Sequence, residues 1–143
     1  MARRAGQHDG AQVALLAVIA LGGAIGAVAR HAASLMLPVA SGDWPWATLL
    51  VNLTGSALIG VLLVHVTARP GRHRLLRSFL GIGVLGGYTT FSTYAVDAVT
   101  LVAEGRPVLA LGYLAVTAVG AVLAVAVAVA VTKAFGRTGR GSQ

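Results

Sequence analysis

One stretch of this chain gathers the residue types that can hold small ions: Gly81-Ile82-Gly83-Val84-Leu85-Gly86-Gly87-Tyr88-Thr89-Thr90-Phe91-Ser92-Thr93-Tyr94. Glycine carries a large backbone entropy and Ser/Thr hydroxyls compete for main-chain hydrogen bonds, so four glycines followed by four hydroxyl residues weaken a helix. A break between Gly86 and Ser92 is expected. Inside a bilayer, unwound main chain survives only where protein or a water-filled path covers it, and there freed carbonyls hold a cation and freed amides an anion. A second reading stands beside this one: the glycines allow close helix packing and the hydroxyls bond back to the preceding turn. Asn52 adds a side-chain amide in the middle of another apolar run. Its NH2 can donate to an anion or to a neighbouring helix, and the second use is the commoner.

The elements that must position these residues follow from composition. The chain is 57% hydrophobic and only 10% charged over 143 residues, too apolar for a water-soluble domain of this size. About 20 residues cross the hydrocarbon core as a helix, which leaves room for about four spans and short loops. An all-α membrane fold is expected, as one transmembrane domain over residues 1–143 with polar tails at 1–10 and 134–143. The spans are placed at about 11–31, 45–67, 75–102 and 107–133, the third interrupted near its centre. Trp44 and Trp46 suit interfacial anchors at the second span, and Pro107 suits a first helical turn. Arg3 and Arg4 ahead of Ala27-Val28-Ala29 also fit a signal peptide. Three further spans, and the small-residue spacing of Gly22-Gly23-Ala24-Ile25-Gly26, favour a retained packing helix.

A net charge of +7 would normally raise nucleic-acid binding. The placement of the charges argues against it. Arg3, Arg4, Arg69, Arg72, Arg74, Arg77, Lys133, Arg137 and Arg140 lie outside the apolar runs, leaving no soluble basic surface for a duplex. Those nine of the eleven Lys and Arg fall on one side of a four-span topology, with only Arg30 and Arg106 opposite. The positive-inside rule then puts both termini in the cytoplasm and the chain in the cell membrane. Cysteine is absent, which removes disulfides and thiolate chemistry. His8, His31, His65 and His73 share no ligand spacing, and no nucleophile–base pair or phosphate loop supports an enzyme.

Three strings in order, Gly22-Gly23-Ala24-Ile25-Gly26-Ala27-Val28-Ala29-Arg30, Thr48-Leu49-Leu50-Val51-Asn52-Leu53-Thr54-Gly55 and Gly86-Gly87-Tyr88-Thr89-Thr90-Phe91-Ser92-Thr93-Tyr94, resemble the CrcB or Fluc fluoride channel family. The resemblance covers nearly the whole chain. It implies passive fluoride export by an antiparallel dimer, with a structural sodium ion held by main-chain carbonyls that fall on Gly86 and Thr89. It also implies a fluoride path lined by Phe91 and Tyr94, whose ring edges attract an anion weakly enough to let it leave. Tyr94 departs from the commoner phenylalanine and brings a hydroxyl that either donates to fluoride or obstructs it. Asn52 matches the path's asparagine and Thr48 a hydroxyl of its polar track, Ser92 and Thr93 add hydroxyls beside Phe91, and Tyr113 and Thr117 fit the track on the fourth helix. Ala121, the next step, is apolar, so that track is shortened. Asp97 stands where the family usually has glutamate, read as a gating residue or as a helix-end acid; Arg30 is read as a vestibule cation or as a side chain snorkelling to phosphate.

An antiparallel homodimer needs a subunit that inserts both ways, and this chain's basic residues are heavily biased. The expected partner is therefore an oppositely oriented CrcB-type paralogue, in a heterodimer surrounded by lipid. The rival function is a proton-coupled multidrug exporter of the small four-span kind, which needs a membrane-embedded carboxylate. Asp97 is its only candidate. A non-conducting membrane scaffold is the third reading.

Overall fold

The computed structural model describes residues 2–40, 42–68 and 74–138, with side chains described from residue 10 to residue 136. Arg69, Arg72, His73 and Arg140 lie outside the described residues, as do the side chains of Arg3, Arg4, His8 and Arg137. Every regular element of the described residues is a helix. Helix α1 is Ala2–Met36 and α2 is Trp46–Ala68. Helix α3 covers residues 74–88, in which Ser78–Leu85 is wound as a π-helix between Arg74–Arg77 and Gly86–Tyr88. Residues 89–91 leave helical winding, after which α4 is Ser92–Ala103 and α5 is Pro107–Thr138. Pro107 opens its helix, where its missing N–H costs nothing.

Among the described residues, three helices are long and apolar enough to cross a membrane by length and composition: Gly10–Met36, Trp46–Thr67 and Pro107–Gly136. The remaining apolar run is divided between α3 and α4. The two halves have different neighbours: α3 packs along α1, whereas α4 packs against α5, and α2 lies along α5. The break is thus the point at which the chain passes from one helix pair to the other.

Glycines explain how closely α1 and α3 approach. A Cβ on Gly26 would collide with the Val84 carbonyl oxygen, and one on Gly87 with the Gly23 carbonyl oxygen. Main chain meets main chain there. This is the small-residue packing face read from Gly22 to Gly26, and in an apolar solvent such contact is what holds helices together.

A cluster of Leu49, Ala98, Leu101, Ala110 and Tyr113, with Trp44, Leu53, Tyr94, Leu109 and Leu114 against it, ties α2, α4 and α5 together beside the break. Trp44 is partly buried and packs against this core. Its ring meets Tyr113 edge-on at 5.8 Å and 89°, and its buried Nε1 has no hydrogen-bond partner. Trp46, 55% exposed, keeps a position that suits an anchor. Arg106 Nη1 donates to the carbonyl of Gly42, which has φ +79°, joining the α1–α2 and α4–α5 connections.

Candidate functional site

The break begins where Thr89 turns extended, with ψ 158°. Its N–H and its hydroxyl both donate to the Leu85 carbonyl at 3.0 Å, which closes the end of α3. Thr90 then has no helical partner, and Asn52 supplies both. Asn52 Nδ2 donates to the Thr90 carbonyl at 2.9 Å, and Thr90 N–H donates to Asn52 Oδ1 at 2.9 Å. A side-chain amide carries the same donor and acceptor as a peptide group, so Asn52 replaces the missing turn of helix. The Thr90 hydroxyl oxygen accepts from Thr93 N–H at 3.1 Å, which caps the start of α4. Its proton goes to Thr93 Oγ1 at 3.0 Å, with Ser92 Oγ at 3.3 Å as a further neighbour.

On the other flank, Thr54 Oγ1 donates to the Leu50 carbonyl at 2.6 Å, so the Tyr88 hydroxyl 3.1 Å away is the donor in that pair. A Cβ on Gly55 would collide with the Thr89 methyl, and this lets α2 press against the break. Neither Tyr88 nor Thr90 stood out in the sequence as a site residue. Their place in the ion-binding string was visible; their partners on α2 were not.

Among the described residues, the carbonyls of Gly86 and Thr89 accept no hydrogen bond across the break, whereas that of Gly87 accepts from Arg30 Nε at 3.2 Å. Uncharged carbonyl oxygens without donors are the ligand type that a small hard cation takes. The Gly86 and Thr89 oxygens therefore fit a sodium ion in kind.

Arg30 also lines a half-open cleft of about 110 Å³ with His31, Ser34, Ala47, Thr48, Val51, Thr90 and Thr93. The structure thereby brings Arg30, Thr48 and Thr93 together beside the break. A liquid water occupies about 30 Å³, so the cleft has room for a few waters or a small hydrated anion. Its contents are one guanidinium, several hydroxyls and an exposed imidazole. Among the described residues, no carboxylate lines it.

The aromatic residues form a second line. Phe91 is 79% exposed, and its ring lies 5.8 Å from that of Tyr94 at 55°. Tyr94 lies 5.4 Å from Tyr113 at 50°, and Tyr113 is wholly buried. The Tyr94 hydroxyl donates to the Leu114 carbonyl at 2.8 Å, and the Tyr113 hydroxyl donates to Asp97 Oδ2 at 3.1 Å. Asp97 therefore meets a hydroxyl, one of the pairings open to it. Thr117, one turn along α5 from Tyr113, is 4% exposed, and its Oγ1 has no hydrogen-bond partner. A buried hydroxyl left this way costs about 1–3 kcal/mol unless something else fills the role. Ser92 faces outward beside Phe91. This set of hydroxyls, ring edges and one cation can receive a small anion and release it; it has no group arranged to make or break a covalent bond.

The family described as CrcB-like protein, Camphor Resistance (CrcB), matches residues 17–129. The chain is 54% identical over 115 residues to the fluoride-specific ion channel FluC 2 of Streptomyces avermitilis, covering 80% of this chain and 72% of the relative. It is 54% identical over 114 residues to FluC 1 of Streptomyces coelicolor, covering 80% and 74%. Against FluC of Rhizobium meliloti the identity is 40% over 119 residues, covering 82% and 95%.

Proposed function

We propose, from the premise that this chain belongs to the CrcB family of fluoride-specific ion channels, how its residues carry fluoride. The protein is a multi-pass membrane channel, not an enzyme, and it passes fluoride down its gradient out of the cell. Membership leaves the proton-coupled exporter without support, and Asp97, its one candidate switch, is bonded to Tyr113.

Fluoride enters the cleft toward the Arg30 guanidinium, which raises the local anion concentration. From there it exchanges water for the hydroxyls of Thr48 and Thr93 and for the side chain of Asn52, then for Ser92 and the edges of Phe91 and Tyr94. Thr117 continues the polar track on α5 beside Tyr113, whose proton goes to Asp97. Each contact is a neutral donor or a ring edge, strong enough to replace part of a hydration shell and weak enough to release the ion. The observation that carries this reading is the Asn52–Thr90 pair, which holds main chain open beside the cleft.

The carbonyls of Gly86 and Thr89 would hold a structural sodium ion, which supplies a fixed positive charge at the break. Exposed backbone in a bilayer needs cover, and an antiparallel second CrcB-type subunit supplies it. The bias of basic residues favours both termini in the cytoplasm and an oppositely oriented paralogue as partner. Relatives numbered FluC 1 and FluC 2 are in keeping with paired chains. Liposomes holding this protein, alone and with a candidate paralogue, test the reading with a fluoride electrode. Passive fluoride efflux is expected in the paired sample; no efflux in either sample would refute it.

A further inference from the structure

The cleft beside the break holds one polar side chain that the fluoride path leaves unused. His31 follows Arg30 on α1, and both line the space at the end of the bundle where α1 passes to α2. The imidazole is exposed, and among the described residues its ring nitrogens have no hydrogen-bond partner. Several of its neighbours are committed elsewhere. Arg30 Nε donates to the Gly87 carbonyl, the Ser34 hydroxyl donates to the main-chain carbonyl of His31 at 2.7 Å, and the Thr90 hydroxyl proton goes to Thr93. A neutral imidazole keeps one N–H donor and a protonated one has two. A protonated imidazole beside a guanidinium is repelled unless an anion joins the two. The surrounding elements bring no such charge: α2 contributes Thr48 with apolar side chains, the break and α4 contribute Thr90 and Thr93, and Asp97 on α4 is bonded to Tyr113 instead. Among the described residues, Arg30 is thus the one charged group that lines the cleft with the ring.

We propose that His31 is a second anion-receiving residue of this cleft: its free ring N–H holds a passing anion beside Arg30, and protonation of the ring adds a positive charge that makes anion entry at this mouth depend on pH. The inference deepens the fluoride-channel reading and rests on it. Histidine is the side chain whose charge ordinarily changes between about pH 5 and 8. Acid therefore turns a mouth with one cation into a mouth with two, and alkali leaves the single guanidinium beside a neutral donor. A unit charge about 4 Å from an ion in water-like surroundings alters the ion's local concentration roughly fivefold, and salt screens part of that. Fluoride entry from this side should rise about twofold to fivefold as that side is taken from about pH 8 to about pH 5.5.

The test uses the full-length protein in the pairing that conducts, in planar bilayers at low ionic strength. The pH is set on one side at a time, and fluoride current is compared for wild type, His31→Gln, His31→Lys and His31→Phe. Wild-type current should rise about twofold to fivefold when the side bearing the α1–α2 connection is acidified. His31→Gln, which keeps an N–H but takes no proton, should stay at the alkaline wild-type level at every pH. His31→Lys should stay at the acidic level, and His31→Phe, with neither donor nor charge, should fall below His31→Gln. A wild-type current indifferent to pH on both sides, or a His31→Gln current that keeps the wild-type pH profile, would overturn the proposal while leaving the channel reading intact. Equal currents in His31→Phe and His31→Gln would overturn the ring N–H as a contact of the ion. If the wild type passes no fluoride in any pairing, the channel reading itself fails and the role of His31 falls with it.

Discussion

Asn52→Leu removes both hydrogen bonds to Thr90 while keeping the branching of the side chain. Each of the two main-chain groups left without a partner in the interior costs about 1–3 kcal/mol, so the break is destabilised by about 2–6 kcal/mol. The pair is only partly buried, which places the effect near the lower end, at about 2–3 kcal/mol. Every 1.4 kcal/mol or so is a factor of ten in an equilibrium. Hydrogen exchange at the Thr90 amide should therefore accelerate roughly thirtyfold to a hundredfold, and fluoride efflux should fall with it. Asn52→Asp keeps the acceptor for Thr90 N–H and loses the donor, so it should protect that amide better than Asn52→Leu. Thr90 exchange as slow in Asn52→Leu as in the wild type would show that the amide does not hold the break, and the reasoning would be refuted.

Replacing Gly26 by valine forces a side chain into the Val84 carbonyl; main chain cannot move aside cheaply, and a loss of about 1–3 kcal/mol or more is expected, read as lower melting temperature in detergent. Thr117→Val removes a buried hydroxyl with no protein partner, and it should raise stability by about 1 kcal/mol while slowing fluoride efflux. Arg30→Gln should slow fluoride entry and flatten its dependence on ionic strength, whereas Arg30→Lys should retain more of both. Accessibility tags at the two termini should label from the cytoplasmic side alone, and equal labelling from both sides would contradict the single orientation.

Much of this architecture was legible because the bilayer leaves few choices. The apolar runs became α1, α2 and α5, and the Gly/hydroxyl string became a break within the interval expected from helix energetics. Gly22 to Gly26 read as a packing face because small residues at that spacing permit backbone contact. The π winding of Ser78–Leu85 was not legible: it differs from α winding by one residue per hydrogen bond, and glycine composition alone does not select it. Nor was the clamp. Asn52 and Thr90 are 38 residues apart, and an amide in an apolar run announces that it needs a partner without saying which. The contact of Trp44 with Tyr113 was equally invisible, since an aromatic at the start of a span does not say which ring it will meet. Tyr94 posed a question that only coordinates could answer, because the acceptor of its proton is main chain and leaves no mark on the sequence.

The central claim is that anions cross beside the break held by Asn52, without a coupled proton. Current through planar bilayers containing this chain and its partner tests it most directly. Under a tenfold fluoride gradient at equal pH, the current should reverse near the fluoride equilibrium potential, about 59 mV from zero, and should stay there when a proton gradient is added. A reversal potential that follows the proton gradient, or a silent membrane in every pairing, would contradict the account.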